Sequence, residues 1–283
     1  MQSQGRLAEA EQAYRQLAAS TPHQETVLTA LADMYLQSGH LPAAAETLVL
    51  LTEVAPDTLK HYVSLAGVLD QLGRTDEAIN YFHRLLSRQP DLADAHFNLA
   101  LLYKSDKRYA ESLASYERAI ELGIDGVEEV YSNMGVVFAE MHQADKARAM
   151  YEKAIAVDVQ YVPALFNLAG LHEEEGNRDR AIEIYRRILS MDAKNWESLS
   201  RLAHAQKVSG PDDPLIAVLR SAVEDTVFDE PAREGLYFAL GKVLDDVGQY
   251  DEAFKAYTAA NELCKQRAPG YDRAAVEQAI DCL

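Results

Sequence analysis

The sequence predicts an all-α chain, a solenoid of stacked helix pairs, and three observations carry that prediction. A pattern recurs every 34 residues, in units beginning at 25, 59, 93, 128, 162, 196 and 234, with one extra residue at Val127 and four at 230–233. Within each unit the apolar places are spaced three and four apart, which marks one face of an α-helix. Glycine holds the fifteenth place in five of the seven units, as Gly39, Gly73, Gly176, Gly210 and Gly248. Glycine there ends a helix in a left-handed conformation that other residues resist.

The elements come in order. Residues 1–24 match only the later half of a unit, through Gly5, Ala10, Tyr14 and Pro22, and form a half repeat with a second helix alone. The apolar side of that helix, with Leu7, Tyr14 and Leu17, lacks a partner within its own unit. Either preceding sequence has been removed, or this face packs on another molecule by self-association. The regular array runs from 25 to 207. Its first helices carry Leu28, Leu31, Ala32 and Tyr35, then Tyr62, Leu65, Ala66 and Leu69, and His96, Leu99, Ala100 and Tyr103. Tyr131, Met134, Gly135 and Phe138 continue the series, followed by Leu165, Leu168, Ala169 and His172. The small residue at the eighth place lets a neighbouring helix come close. Second helices pair a small residue with a larger apolar one four later, as in Ala44 and Leu48, Ala78 and Phe82, or Ala181 and Tyr185. Pro56 and Pro90 stop two of them.

The unit from Trp196 departs from the pattern. Residues 208–233 form its irregular part, with Pro211 and Pro214 at the turn and Leu215 where a small residue is usual, so its helices are expected to be displaced. The last full unit occupies 234–267. A capping helix is expected over 268–283, starting near Asp272, whose carboxylate can cap the first turn.

Composition limits what such a chain does. It has 283 residues, 48% of them hydrophobic and 25% charged, in keeping with a core-forming protein. Its apolar runs, such as 48–51, are too short for a membrane span, and the first residues lack the apolar stretch of a signal peptide. A cytoplasmic location is expected. Two cysteines, Cys264 and Cys282, supply neither a disulfide framework nor a cysteine-built zinc site. The 45 acidic and 27 basic side chains give a net charge of −18, spread along the chain. That charge repels a nucleic-acid backbone and favours basic partners.

The 34-residue pattern resembles the tetratricopeptide repeat family over nearly the whole chain. The resemblance implies antiparallel helix pairs stacked into a right-handed superhelix, with first helices lining a concave face and each pair stabilised by its neighbours. The stretch 237–272 is also similar to the segment that closes the repeat array in bacterial proteins whose repeats precede a sulfotransferase domain. Its matching features are 238–242, 250–254, Ala260 with Asn261, Arg267, and Tyr271 with Asp272. Those proteins carry a Pro-Arg-Ser-Gly-Thr loop for the phosphosulfate donor, which these 283 residues lack, so no catalytic residue carries over.

A search for chemistry finds only decoys. Residues 67–75 have the wrong spacing for a phosphate loop, with Arg74 where Lys belongs. The His172-Glu173-Glu174-Glu175 run lacks the two-histidine spacing of a zinc protease, and His172 stands at a core-facing place. His204 stands at the ninth place of its unit with no partner to assign. No enzyme, metal or cofactor is expected. What remains is a set of asparagines. Asn98, Asn133 and Asn167 are the sixth residues of three consecutive first helices, a place that holds Ala30, Ser64, Arg201 and Ala239 elsewhere.

The arrangement resembles the asparagine ladder in the repeat array of O-linked N-acetylglucosamine transferase, which holds the backbone of an extended peptide. A carboxamide offers a donor and an acceptor, as a peptide unit does, so it reads backbone without regard to side chain. The alternative is bonding to adjacent helices or water alone. Phe97, Phe166 and Phe238 at the fifth place and Leu101 and Val136 at the ninth could wall apolar pockets beside the row. The functional expectation is a scaffold that binds an extended protein or peptide segment, and the alternative is the substrate-recruiting region of a sulfotransferase.

Overall fold

The computed structural model describes residues 24–225 and 227–267. The half repeat before Gln24 and the capping helix expected over 268–283 lie outside the described residues. Among those residues there are fourteen α-helices and no strand. The pairs are α1 (Gln24–Gln37) with α2 (Leu41–Val54), α3 (Leu59–Gln71) with α4 (Thr75–Arg88), and α5 (Ala93–Ser105) with α6 (Tyr109–Glu121). They continue with α7 (Val127–Glu140), α8 (Ala144–Val157), α9 (Val162–Glu174) and α10 (Arg178–Met191). The last four are α11 (Trp196–Ala205), α12 (Pro214–Glu224), α13 (Glu230–Asp246) and α14 (Tyr250–Arg267). The chain divides into two compact units, Met1–Met150 and Tyr151–Leu283.

The apolar stripe predicted for the first helices is the core of each unit. The seventh and eighth places are buried in every repeat, from Leu31 and Ala32 to Leu240 and Gly241. In the first unit Tyr62, Leu65 and Leu69 of α3 pack with Phe82 and Leu85 of α4. In the second, Leu165 and Ala169 of α9 join Ala181, Tyr185 and Ile188 of α10. Fully burying one such large side chain contributes about 1.5–3 kcal/mol. The small residues work as expected: Ser112 is wholly buried, and its hydroxyl donates to Ala100 O at 2.8 Å, so α5 and α6 meet through their two smallest places.

The fifteenth place is left-handed in six of the seven repeats. Gly39, Gly73, Gly176 and Gly248 have φ of 73°, 70°, 79° and 77°, and the non-glycine Lys107 and His142 adopt 59° and 58°. Each is locked by two turn hydrogen bonds. At Lys107, its own N–H donates to Lys104 O at 2.9 Å and the following Arg108 N–H to Tyr103 O at 2.8 Å; His142 and Gln143 repeat the pair on Ala139 and Phe138. These bonds use carbonyls that the helix end leaves open. Gly210 is the correction to the sequence reading, because its backbone is not left-handed. Helix α11 has already ended at Ala205, where Gln206 stands in place of the usual apolar eleventh residue, so no helix reaches Gly210 to be turned.

Local signals start the next two helices. Asp213 caps α12 by accepting from Leu215 N at 2.9 Å, with Pro214 at the first helical position. Asp229 caps α13 the same way, accepting from Ala232 N at 2.9 Å, with Pro231 in the first turn. The four extra residues 230–233 therefore lengthen α13 by a turn instead of enlarging a loop. Helix α11 lies against α10 and α13, whereas α12 lies against α13 and stands off from α11. At the end of the unit Gly241 gives the ring of Tyr257 room: a Cβ there would lie 2.6 Å from Tyr257 Cε1.

Candidate functional site

The three asparagines sit where the repeat register puts them, half-buried on first helices. They differ in what their carboxamides do. Asn98 Nδ2 donates to Asp94 O one turn earlier on α5, at 2.7 Å, which leaves its carbonyl oxygen open. The side chains of Asn133 on α7 and Asn167 on α9 make no hydrogen bond within the described residues. Neither is fully buried, so their polar atoms can reach solvent or a ligand. Of the other sixth-place residues, Ser64 is half-buried, Arg201 is exposed and Ala239 is completely buried.

The fifth-place aromatics are held from behind. In the first unit Phe97 packs against Tyr116 of α6 with ring centroids 5.8 Å apart and an interplanar angle of 57°. In the second, Phe166 meets Tyr185 edge-on at 5.8 Å, and Phe238 lies 6.4 Å from Tyr257. Each ring is half-buried, so one side joins the core and the rest remains open. Aromatic pairs in this geometry add about 0.5–1.5 kcal/mol beyond burial, which keeps the rings in place. Leu101 packs beside Phe97 on the first unit's core, and Val136 is half-buried on α7. The fifth places without aromatics differ, with Val63 exposed and Ser132 buried.

Charge on the second unit's first helices is arranged around Glu173. Tyr185 Oη donates to Glu173 Oε2 at 2.9 Å, and Arg201 Nη1 lies 3.5 Å from the same oxygen. Burial, and then the hydrogen bond to Glu173, pushes the Tyr185 phenol above the ordinary tyrosine value. Arg201 is thus tied to the preceding repeat and not to Glu197 on its own helix. This three-residue network escaped the sequence reading, which weighed Glu173 only as part of a metal-like run. Its twelfth-place position, one residue after the core-facing His172, was the signal available.

His172 is half-buried, its Nδ1 3.8 Å from Glu175 Oε2 and without a hydrogen bond. His204 Nδ1 hydrogen-bonds Ser200 O at 2.7 Å and is exposed. Among the described residues no group of three or more His, Cys, Asp or Glu side chains is placed to hold a metal, and no helix is long and apolar enough to cross a membrane.

Comparison with known proteins agrees with this architecture. Human protein O-mannosyl-transferase TMTC1 is 26% identical over 211 residues, covering 72% of this chain but only 24% of the relative's length. A tetratricopeptide repeat protein from Parabacteroides merdae superposes with a TM-score of 0.55 at 18% identity, covering 90% of this chain and 96% of that one. TTC0263 from Thermus thermophilus superposes with a TM-score of 0.51 at 21% identity, over 64% of this chain and 98% of its own. Residues 2–69, 64–126, 126–194 and 235–267 each match a sequence profile described as tetratricopeptide repeat. With helix pairs, a 34-residue period and these matches in agreement, the chain belongs to the tetratricopeptide repeat family.

Proposed function

We propose that this chain is a protein-interaction scaffold that holds an extended segment of a partner against its first helices, with the sixth-place asparagines reading the segment's backbone. One observation carries the reading: the half-buried carboxamides of Asn133 and Asn167 leave donor and acceptor unused within the described residues. A role in bonding adjacent helices would use them. Asn98 contributes its carbonyl oxygen as an acceptor, its amide being engaged on Asp94. Phe97, Leu101 and Val136 on the first unit and Phe166 and Phe238 on the second wall places for the partner's side chains, and on the second unit Arg201, beside Glu173, adds a polar contact. The net charge of −18 favours a basic segment and steers its approach.

The test is binding and melting of alanine variants against a library of extended peptides. One hydrogen bond contributes about 0.5–1.5 kcal/mol net. Asn133→Ala and Asn167→Ala are therefore each expected to weaken binding about 2- to 10-fold, Asn98→Ala less, and the triple variant by the product, about 5-fold to a few hundred-fold. Alanine is the better helix former and no internal bond is lost at Asn133 or Asn167, so melting temperature is expected to hold or rise. A marked drop in melting temperature with unchanged peptide binding refutes the reading.

A further inference from the structure

The second unit contains a cleft that the proposed binding face does not use. It lies between α10, α11 and α12 and has a volume of about 460 Å³. Its walls are Leu189, Leu199, Leu202, Leu215 and Val218, with Arg186 at the edge. The sequence explains why it exists. Other second helices carry Ala or Ser at their close-packing place, whereas α12 carries Leu215 and starts at Pro214 after a turn that begins early. The larger side chain holds α12 away from α11, and apolar surface that elsewhere meets a helix faces the gap.

Arg186 gives the cleft a polar end. Its Nη2 donates to Gln206 Oε1 at 2.8 Å, and Gln206 is itself held, its backbone N–H donating to Leu202 O and its carbonyl accepting from Lys242 Nζ at 2.7 Å. No carboxylate among the described residues pairs with Arg186, and its remaining N–H groups are unbonded there. An oriented guanidinium with free donors matches a carboxylate. Asp213, the other charged group at the cleft, is already satisfied by Leu215 N and the N-terminus of α12.

We infer that this cleft binds an aliphatic carboxylic acid, with the alkyl chain against the leucines and the carboxylate on Arg186. The volume lies in the range of small-molecule sites, about 300–1,000 Å³. Between Arg186 and Asp213 the walls offer almost no side-chain hydrogen-bonding groups. A peptide backbone would lose its bonds to water there, and an alkyl chain has none to lose.

Calorimetry of the full chain with decanoate, 1-decanol and decylamine tests the inference. A chain of net charge −18 attracts amines and repels acids in general, so preference for decanoate isolates the local effect of Arg186. The expected order is decanoate tightest, with Arg186→Gln weakening it about tenfold and leaving decanol within about threefold. Val218 is 47% exposed at the rim, so Val218→Trp can block the mouth without disturbing the core and is expected to abolish binding of both. Circular dichroism of each variant confirms that it folds. Absence of decanoate binding, equal binding of decylamine, or affinity unmoved by either substitution overturns the inference. Tighter binding of a leucine-terminated tetrapeptide than of decanoate also overturns it.

Discussion

Replacing Lys107 and His142 by glycine is expected to stabilise this protein, although glycine in general weakens helical structure. Both residues hold the left-handed turn that glycine holds in four other repeats, at φ of 59° and 58°. A left-handed conformation costs an L-residue about 1–2 kcal/mol. Glycine returns part of that gain by enlarging the unfolded ensemble, about 0.4–1 kcal/mol. The net expectation is a gain of about 0.5–1 kcal/mol at His142. Lys107 follows the C-terminus of α5, where a cation is favoured by about 0.3–1 kcal/mol, so Lys107→Gly gains less. Both side chains are exposed and make no hydrogen bond within the described residues, so backbone terms decide the outcome. Gly73→Ala is the mirror experiment. A Cβ at Gly73 meets no atom within 4 Å, so its expected loss of about 1 kcal/mol reports φ alone. Urea denaturation followed by circular dichroism measures all three. A neutral Gly73→Ala together with a destabilising His142→Gly would refute the argument from turn geometry.

Three further outcomes rest on packing and on the chain's chemistry. Gly241→Ala drives a Cβ to 2.6 Å from the Tyr257 ring and is expected to cost about 1–3 kcal/mol, whereas Gly67→Ala and Gly170→Ala, in open helical positions, gain up to about 1 kcal/mol; thermal melts compare them. Tyr116→Phe removes a buried hydroxyl without a hydrogen-bond partner and is expected to stabilise by about 1 kcal/mol, while Tyr185→Phe loses the bond to Glu173 and destabilises. Burial, then Glu129 and Glu140, raises the Tyr116 phenol, so the folded state keeps its proton above about pH 10 while the unfolded state loses it. That contribution is full below about pH 10 and lost as pH rises further, and Tyr116→Phe should flatten the alkaline fall in stability measured by urea melts. Finally, calorimetry with a nucleotide sulfate donor is expected to show no tight binding by this chain, because these 283 residues lack the donor loop; tight binding would overturn the reading that no catalytic residue carries over from the sulfotransferase resemblance.

Most of the fold was legible because it repeats. Leu31, Ala32, Tyr35 and their counterparts could be placed in the core from spacing alone, since a helix that buries one face must put every third or fourth residue there. Repetition fails where one unit differs. Counting residues cannot tell whether 230–233 enlarge a loop or extend a helix, although Asp229 and Pro231 carry the local start signal that the structure obeys. Gly210 misled for the same reason: its place in the count was right, but the helix it should end had stopped at Ala205. The left-handed Lys107 and His142 were hidden because backbone hydrogen bonds at the helix end, not side-chain chemistry, impose the turn. At the candidate site the register of the asparagines was readable, but the bond from Asn98 to Asp94 was not, since nothing in sequence selects a rotamer. The cleft beside Leu215 was visible only as an oversized residue. Its volume and the open side of the Arg186 guanidinium, which bonds only Gln206 among the described residues, depend on where α12 comes to rest.

The stand-off of α12 from α11 has a consequence for how the second unit comes apart. In a stack where every helix rests on the next, stability passes along the chain and no element opens alone. Here α11 rests directly on α10 and on α13, so the sequence of first-helix contacts bypasses α12. Detaching α12 uncovers Ile216, Leu219 and Val223 but leaves those contacts standing. At about 1.5–3 kcal/mol for each aliphatic side chain, the amides of α12 acquire a ceiling of protection of their own, below that of the helices on either side. Helix α12 is a side branch of the contact chain, and its amide hydrogens are expected to exchange ahead of those of α11 and α13 in a hydrogen-exchange measurement.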